Sequence, residues 1–238
     1  MSIHHIILAS MLAVSTNSHA FDITAVTENL APYNYKENNV VKGSSTEIVR
    51  TVLDKAGAKY TIDVLPWARA YSQALHNKNV LIYTIMRNDT REPLFKWIRP
   101  VANTSYNVLY RLKSNPSIAP KSIEDAKKYR VVVVNEFIDQ SVLTSMKFPN
   151  IVAAPSVQSA IDMFFAKRTD LFSFESESLG AELSKAGYSM NEVVAVLPIY
   201  HSQPYMALSN STDDGIVQQL QDAYDSLKKD RKIPEFKN

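Results

Sequence analysis

The sequence has no cysteine, no long apolar run beyond its first twenty residues, and no excess of one charge. Without cysteine the chain can form neither disulfide bonds nor thiolate metal sites, so a hydrophobic core must stabilise it. The 26 basic and 24 acidic residues give a net charge of +2. This balance disfavours a nucleic-acid-binding protein, because such proteins normally carry a basic excess. These absences leave a soluble protein without a membrane span as the expected class.

Residues 1–20 have the pattern of a secretory signal peptide. Their apolar stretch, residues 6–14, is too short to span a bilayer, and Ser18 and Ala20 form the small-x-small pattern that signal peptidase accepts. No Lys or Arg precedes the apolar stretch, so a buried N-terminal helix is the alternative. We expect cleavage after Ala20 and a periplasmic mature chain, long enough for two modest lobes.

The mature chain offers few groups for metal binding or covalent catalysis. Its only histidines, His76 and His201, lie far apart in the sequence. No phosphate-binding glycine loop and no nucleophile paired with a base is visible. We therefore predict no metal, no cofactor and no catalytic residue.

Strand and helix patterns alternate along the mature chain. The first elements are predicted in the order strand 21–27, helix 46–55, strand 60–65, helix 66–76 and strand 80–85. Residues 29–39 are predicted to be a loop. This alternation indicates a parallel sheet with crossover helices, and a second such pattern begins near Tyr106. The fold class is therefore predicted to be α/β with two lobes, each a mixed or parallel sheet flanked by helices.

Two halves in one chain require boundaries between them. We place the crossings near residues 102–105 and 198–203, so that the C-terminal strand and helix return to the first half. Lobe 1 would comprise residues 21–103 and 204–238, and lobe 2 residues 104–203. Strand ends point into a cleft between such lobes, and ligands bind there.

The segment from Tyr83 to Pro100 carries the clearest candidate for ligand binding. It places Arg87 and Arg91 one helical turn apart, just after a buried strand. A guanidinium at a strand end can bind a carboxylate through paired donors. The alternative is a salt-bridged surface turn, and for Arg87 a solvated helix face explains the sequence equally well.

Four motifs, in this order, resemble those of the extracytoplasmic solute-binding proteins of family 3, which serve polar amino-acid ABC transporters. The similarity extends over residues 22–236, with features of a divergent branch. The motifs are Leu30-Ala-Pro-Tyr33, Gly43-Ser-Ser-Thr-Glu47, Asn88-Asp-Thr-Arg91 followed by Trp97 and Pro100, and Arg168-Thr-Asp170 followed by Leu171-Phe-Ser-Phe-Glu175. The resemblance implies the two-lobed type II fold of periplasmic binding proteins. It also implies that Arg91 binds the ligand α-carboxylate and that Glu175 receives the α-ammonium.

One motif departs from the family. Where the family usually has Gly-Thr-Thr after the strand that ends at Val134, this chain has Glu136-Phe137-Ile138. The change removes a flexible glycine and two hydroxyl donors, and it adds a negative charge that would favour a cationic ligand group if it faces the cleft.

Further side chains are candidates for the ligand side-chain pocket. Tyr33 and Trp67 are aromatic residues placed to face the cleft, with core packing as the alternative. Arg69 lies on the helix that begins at Pro66, where ligand contact and a structural ion pair with Glu47 or Asp63 are comparable interpretations.

The first hypothesis for function is a periplasmic protein that captures a small polar solute, an amino acid or related carboxylate, between two closing lobes. It would act as a monomer and deliver its ligand to an ABC permease or report it to a membrane receptor. Two alternatives remain open. One is a dehydratase-like enzyme on the same scaffold, with Glu175 or Glu136 as the acid. The other is a partner-binding or sensor module with little ligand affinity.

Overall fold

A computed structural model of the chain describes residues 20–237. The predicted signal peptide lies outside the described residues, apart from Ala20. Within residues 20–237 there are twelve strands, and they are β1 (Asp22–Thr27), β2 (Tyr35–Glu37), β3 (Val40–Lys42), β4 (Lys59–Val64), β5 (Val80–Met86), β6 (Phe95–Pro100), β7 (Ser105–Leu112), β8 (Val131–Val134), β9 (Ile151–Ala154), β10 (Leu171–Glu175), β11 (Val193–Ser202) and β12 (Pro204–Ser209). The α-helices of the same residues are α1 (Ser44–Lys55), α2 (Trp67–His76), α3 (Ile123–Ala126), α4 (Ile138–Ser145), α5 (Val157–Phe165), α6 (Ser176–Lys185) and α7 (Asp214–Lys229).

The first sheet has five strands in the spatial order β4-β1-β5-β12-β6. Strand β1 is parallel to β4 and β5, whereas β12 is antiparallel to β5 and β6. Alternate side chains of β1 enter different cores: Ile23 and Ala25 pack with α1 and α7, and Val26 packs with α2. Helices therefore cover both faces of this sheet, which explains why every residue of its central strand β5 is buried.

The second sheet also has five strands, in the order β11-β7-β10-β8-β9. Strand β8 is parallel to β9 and β10, and β7 is antiparallel to β10 and β11. Helices α5 and α6 contribute to the core on one face, and α3 and α4 to the core on the other. The α/β prediction of two mixed sheets flanked by helices is thus confirmed.

The chain passes between the two sheets twice. It leaves the first sheet after Pro100, at the end of β6, and enters the second at Ser105. It returns through Gln203, the single residue between β11 and β12. The C-terminal strand and helix pack with the first sheet, so each sheet with its helices is built largely from its own part of the chain.

One local prediction is wrong, and one strand was not predicted. Residues 29–39 are not all loop, because β2 pairs with β3 in a hairpin whose two-residue turn is Asn38 and Asn39. Both turn residues have positive φ, +49° and +62°, which is the conformation of the type I′ turn that suits a right-twisted hairpin. Residues 95–100 form strand β6, which the prolines at both sides obscured in the sequence; an edge position tolerates them.

Candidate functional site

The carboxyl ends of four strands enclose a small cavity between the two sheets. Its volume is about 30 Å³, well below the roughly 300–1,000 Å³ of a typical small-molecule site. From the first sheet it is lined by Glu28, Trp67 and Arg91, and from the second by Phe137, Asp139 and Glu175. A wider groove of about 370 Å³ borders it and shares Glu28, Trp67 and Phe137 with it.

Arg91 is positioned by a local turn after β5. The side chain of Asn88 accepts a hydrogen bond from the Arg91 backbone N–H at 2.9 Å, and the Asn88 carbonyl accepts from the same N–H at 3.1 Å. Asparagine is among the residues that best accept such bonds at the start of a helical turn. The Arg91 side chain is thereby directed inward, and the residue is only 6% exposed.

The Arg91 guanidinium binds backbone carbonyls and aromatic faces. Nη1 donates to Met86 O at 3.1 Å, and Nη2 donates to Glu136 O at 2.7 Å. The guanidinium carbon lies 5.5 Å from the ring centre of Trp67 and 5.2 Å from that of Tyr71. No salt bridge to Arg91 is found within residues 20–237. Burial lowers the pKa of Arg91, but an arginine stays protonated at neutral pH, so this is a buried cation without an anion.

Glu28 is a buried acid that the sequence analysis did not single out. It follows β1 directly and is 8% exposed. No hydrogen bond to its carboxylate is found within the described part of the chain. Burial raises the pKa of Glu28 to about 8; nearby Glu182 raises it further, and Arg91 opposes the shift. The sequence contained one signal for Glu28: it is an acid one residue beyond a parallel strand, at the edge of the sheet where ligands bind.

Glu175 lies in the cleft but serves as a helix cap. Its carboxylate accepts hydrogen bonds from Glu177 N at 3.0 Å, from Ser178 N at 2.9 Å and from Ser178 Oγ at 2.7 Å. The hydroxyl of Tyr33 donates to it at 3.3 Å. These four donors occupy the acceptor positions of a carboxylate, which leaves little capacity for a ligand ammonium.

The other aromatic candidates lie between the lobes. Trp67, at the start of α2, donates from Nε1 to Glu136 O at 2.8 Å and packs edge-on against Phe137 at 5.9 Å. Tyr33 packs in the core of the second sheet although it precedes β2, so it links the two halves. Trp67 lines the cavity, whereas Tyr33 reaches it only through its bond to Glu175.

The structure does not bring Arg87 or Arg69 into the lining of this cavity. Arg87 forms a two-bond ion pair with Glu92, 2.6 Å in each bond, and stacks over Trp97 and Tyr205. This matches the salt-bridged turn that was the alternative for it. Arg69 is exposed on α2, one residue beyond the exposed Ala68. Neither arginine belongs to the site proposed below.

Asp139 is a further buried acid, on the side of the second sheet. It is 2% exposed and lies in the first turn of α4. Both its oxygens accept from Asn107 Nδ2 at 3.1 Å, and Ser173 Oγ donates to it. Burial raises the pKa of Asp139, and the hydrogen bonds from Ser173 and Asn107 oppose the shift. Among residues 20–237, no group of three or more His, Cys, Asp or Glu side chains is arranged to hold a metal ion.

No helix within residues 20–237 combines the length and the apolar character needed to cross a membrane.

Solved structures with the same fold include two-lobed periplasmic binding proteins and a sensor domain similar to them. A histidine kinase sensor domain with similarity to periplasmic binding proteins has a TM-score of 0.78 at 14% identity, covering 89% of this chain and 92% of its own. The P235GK mutant of ArgBP from T. maritima has a TM-score of 0.75 at 15% identity, with 90% and 91% covered. The arginine-, lysine-, histidine-binding protein ArtJ from Geobacillus stearothermophilus has a TM-score of 0.75 at 15% identity, with 89% and 91% covered. The predicted two-lobed fold is confirmed.

A comparison with curated proteins found no match. The sequence model of one family, the bacterial extracellular solute-binding proteins, family 3, matches residues 23–238. This match spans nearly the whole chain and confirms the resemblance drawn from the four motifs. The chain belongs to the bacterial extracellular solute-binding proteins, family 3.

Proposed function

We propose that this protein captures a small amino acid or related carboxylate in the periplasm by closing two lobes around it. One observation carries the proposal: within residues 20–237 the buried Arg91 has no salt-bridge partner and the buried carboxyl of Glu28 has no hydrogen-bond donor, and both line the same cavity. Each group alone is costly to bury. A solute that carries both a carboxylate and an ammonium group would compensate both.

The lobes would be residues 21–103 with 204–238, and residues 104–203. Closure would occur about the two crossings, residues 101–104 and Gln203, since only these short segments connect the sheets. Opening would separate Arg91 and Trp67 from the Glu136 carbonyl and expose the cleft. Arg91 and Glu28 both belong to the first lobe, so binding and closure would become a single event through further ligand contacts from the second lobe, where Phe137, Asp139 and Glu175 line the same cavity.

The charge of the cleft favours a cationic ligand. Four acids lie at the cleft, Glu28, Asp139, Glu175 and Glu182, and the nearby cations are Arg91 in the cavity and Lys185, which pairs with Glu182. Burial keeps Glu28 largely protonated in the closed cleft, so a cationic ligand group beside it would favour its ionised form. ArgBP and ArtJ, which share the fold, are named for binding arginine. We therefore propose a cationic amino acid as the first ligand to test, with Arg91 at its carboxylate and Glu28 at a cationic group.

The experiment is a thermal-shift panel on the mature protein with L-arginine, L-lysine, L-glutamate, putrescine and acetate. A solute at 100 times its Kd stabilises the folded state by about 2.7 kcal/mol, which raises Tm by roughly 5–10 °C at this chain length. Arg91→Ala and Glu28→Gln should abolish the shift. Arg87→Ala is the matched control and should keep it, because that side chain lies outside the cavity.

The outcomes separate the alternatives. If no solute in a broad panel shifts Tm, solute capture is refuted and a sensor or partner-binding role is favoured. The small cavity of the closed cleft is the observation that supports that second role. If a solute shifts Tm, mass spectrometry of the recovered solute decides between capture and a dehydratase-like enzyme, since only capture returns it unchanged. An ABC permease or a membrane receptor would be the partner that receives or reads the closed form.

A further inference from the structure

The turn between β8 and α4 reaches from the second lobe into the first. The carbonyl of Glu136 accepts two hydrogen bonds, from Trp67 Nε1 at 2.8 Å and from Arg91 Nη2 at 2.7 Å. Both donors belong to the first half of the chain. A single main-chain oxygen of the second half therefore occupies the position in which a ligand carboxylate would meet these donors.

The backbone at Glu136 is bent in the direction that this contact requires. Its φ is +62°, in the left-handed region that favours glycine. The turn is held by two hydrogen bonds: Glu136 N donates to Gln140 Oε1 at 2.8 Å, and Phe137 N donates to Val134 O at 3.1 Å. An uncommon conformation of a non-glycine residue persists only when its surroundings fix it.

The next side chain fills the space between the lobes. The ring of Phe137 packs edge-on against Trp67 at 5.9 Å and stacks with Phe174 of β10 at 6.3 Å. It contributes to the cores of both halves. The cavity that remains, about 30 Å³, is far smaller than the roughly 300–1,000 Å³ of a typical small-molecule site.

We propose that Glu136 and Phe137 are an internal occupant of the Arg91 anion site, which closes the cleft without ligand and which a carboxylate solute must displace. The competition with a solute rests on the proposed function. Closure without a solute rests only on the contacts above. This internal contact would weaken the apparent affinity for any solute, because only the fraction of molecules in which the turn is displaced can bind it.

The test measures the distance between the lobes in the solute-free protein. Because the chain has no cysteine, Ala68→Cys with Gln158→Cys gives two unique sites for spin labels, on opposite walls of the groove between the lobes. We expect one short distance in the otherwise wild-type protein. A majority of longer distances there would overturn the proposal.

Two variants of the turn and its partner sharpen the measurement. Trp67→Phe keeps an aromatic ring and removes the Nε1 donor to the Glu136 carbonyl. It should raise the open-to-closed ratio about fivefold. Phe137→Ala should shift the majority to the longer distance. Phe165→Ala is the matched control, because that ring stacks on Tyr188 within the second lobe, and it should leave the short distance unchanged. Unchanged distances in both Trp67→Phe and Phe137→Ala would also overturn the proposal.

The measurement contains no solute, so it is independent of the thermal-shift panel. A panel without any ligand would refute solute capture and leave the closed solute-free state to be judged by the distances alone. If a panel solute binds, its affinity for Phe137→Ala, which keeps both donors of the first lobe, should rise with the open fraction; an affinity that falls as the cleft opens would overturn the competition.

Discussion

Replacing Glu28 with glutamine should make the protein more stable at neutral pH than the wild type. The carboxyl is buried, has no hydrogen-bond donor within residues 20–237, and its pKa is raised to about 8 by burial and by Glu182. An unfolded glutamate titrates near 4.5. Between these values the unfolded chain binds fewer protons than the folded one, so the stability of the wild type falls as pH rises.

The magnitude follows from the interval between the two pKa values. Below about pH 4 the group is protonated in both states and contributes no pH dependence. At pH 7, about 2.5 units above the pKa of the unfolded glutamate, ionisation favours the unfolded state. It lowers the free energy of unfolding of the wild type by about 3 kcal/mol. Glutamine is neutral throughout. The stability of Glu28→Gln minus that of the wild type should therefore increase by about 3 kcal/mol from pH 4 to pH 7.

The assay is Tm of both proteins from pH 4 to pH 8, without solute. The difference in Tm should grow by roughly 6–12 °C in favour of the variant. Glu124→Gln, at an exposed acid paired with Lys127, is the control and should show no such growth. A Tm difference that is independent of pH would refute the reasoning, because it would mean that Glu28 titrates as a hydrated acid and that the cleft is open in solution.

Three further predictions test the local structure. Gly43→Ala should lower the free energy of unfolding, measured in urea, by about 2–4 kcal/mol, because φ is +119° and a Cβ would clash with the Tyr33 carbonyl oxygen; a loss below 1 kcal/mol would contradict this. Arg87→Ala should change the same free energy by less than about 1 kcal/mol, since its pair with Glu92 is exposed, and a larger loss would indicate a structural role for the ring stack. Ser156→Ala should cost about 1 kcal/mol by removing the cap of α5, and an unchanged midpoint would show that this end of the helix frays freely.

Much of the architecture was predictable because it depends on local periodicity. The buried run at β5, the apolar stripes of α1 and α7, and the restart of the pattern near Tyr106 all follow from spacing that a sequence displays directly. The hairpin β2–β3 was missed although Asn38 and Asn39 are residues that accept positive φ, because its strands are only three residues long. Strand β6 was missed because its stability comes from pairing with β12, more than a hundred residues later.

The candidate site was predictable only in part, and the reason is the same. The sequence pointed to Arg91 from its place after a strand, and to Glu175 from a motif, but it could not reveal what each would contact. Arg91 donates a hydrogen bond to the carbonyl of Glu136, and the Glu175 carboxylate accepts hydrogen bonds from backbone N–H groups of α6. Glu28 gains importance only because folding buries it beside Arg91, where no donor reaches its carboxyl within residues 20–237.

The sequence by itself determined the two α/β halves, the family and the presence of an arginine at a strand end, since these depend on residue types and spacing along the chain. Only the tertiary structure decided which charges remain unpaired in the cleft and that the turn at Glu136 and Phe137 fills it. Those properties arise where segments distant in sequence meet. The free energy of a buried charge is set by the atoms that surround it and not by its neighbours in the chain.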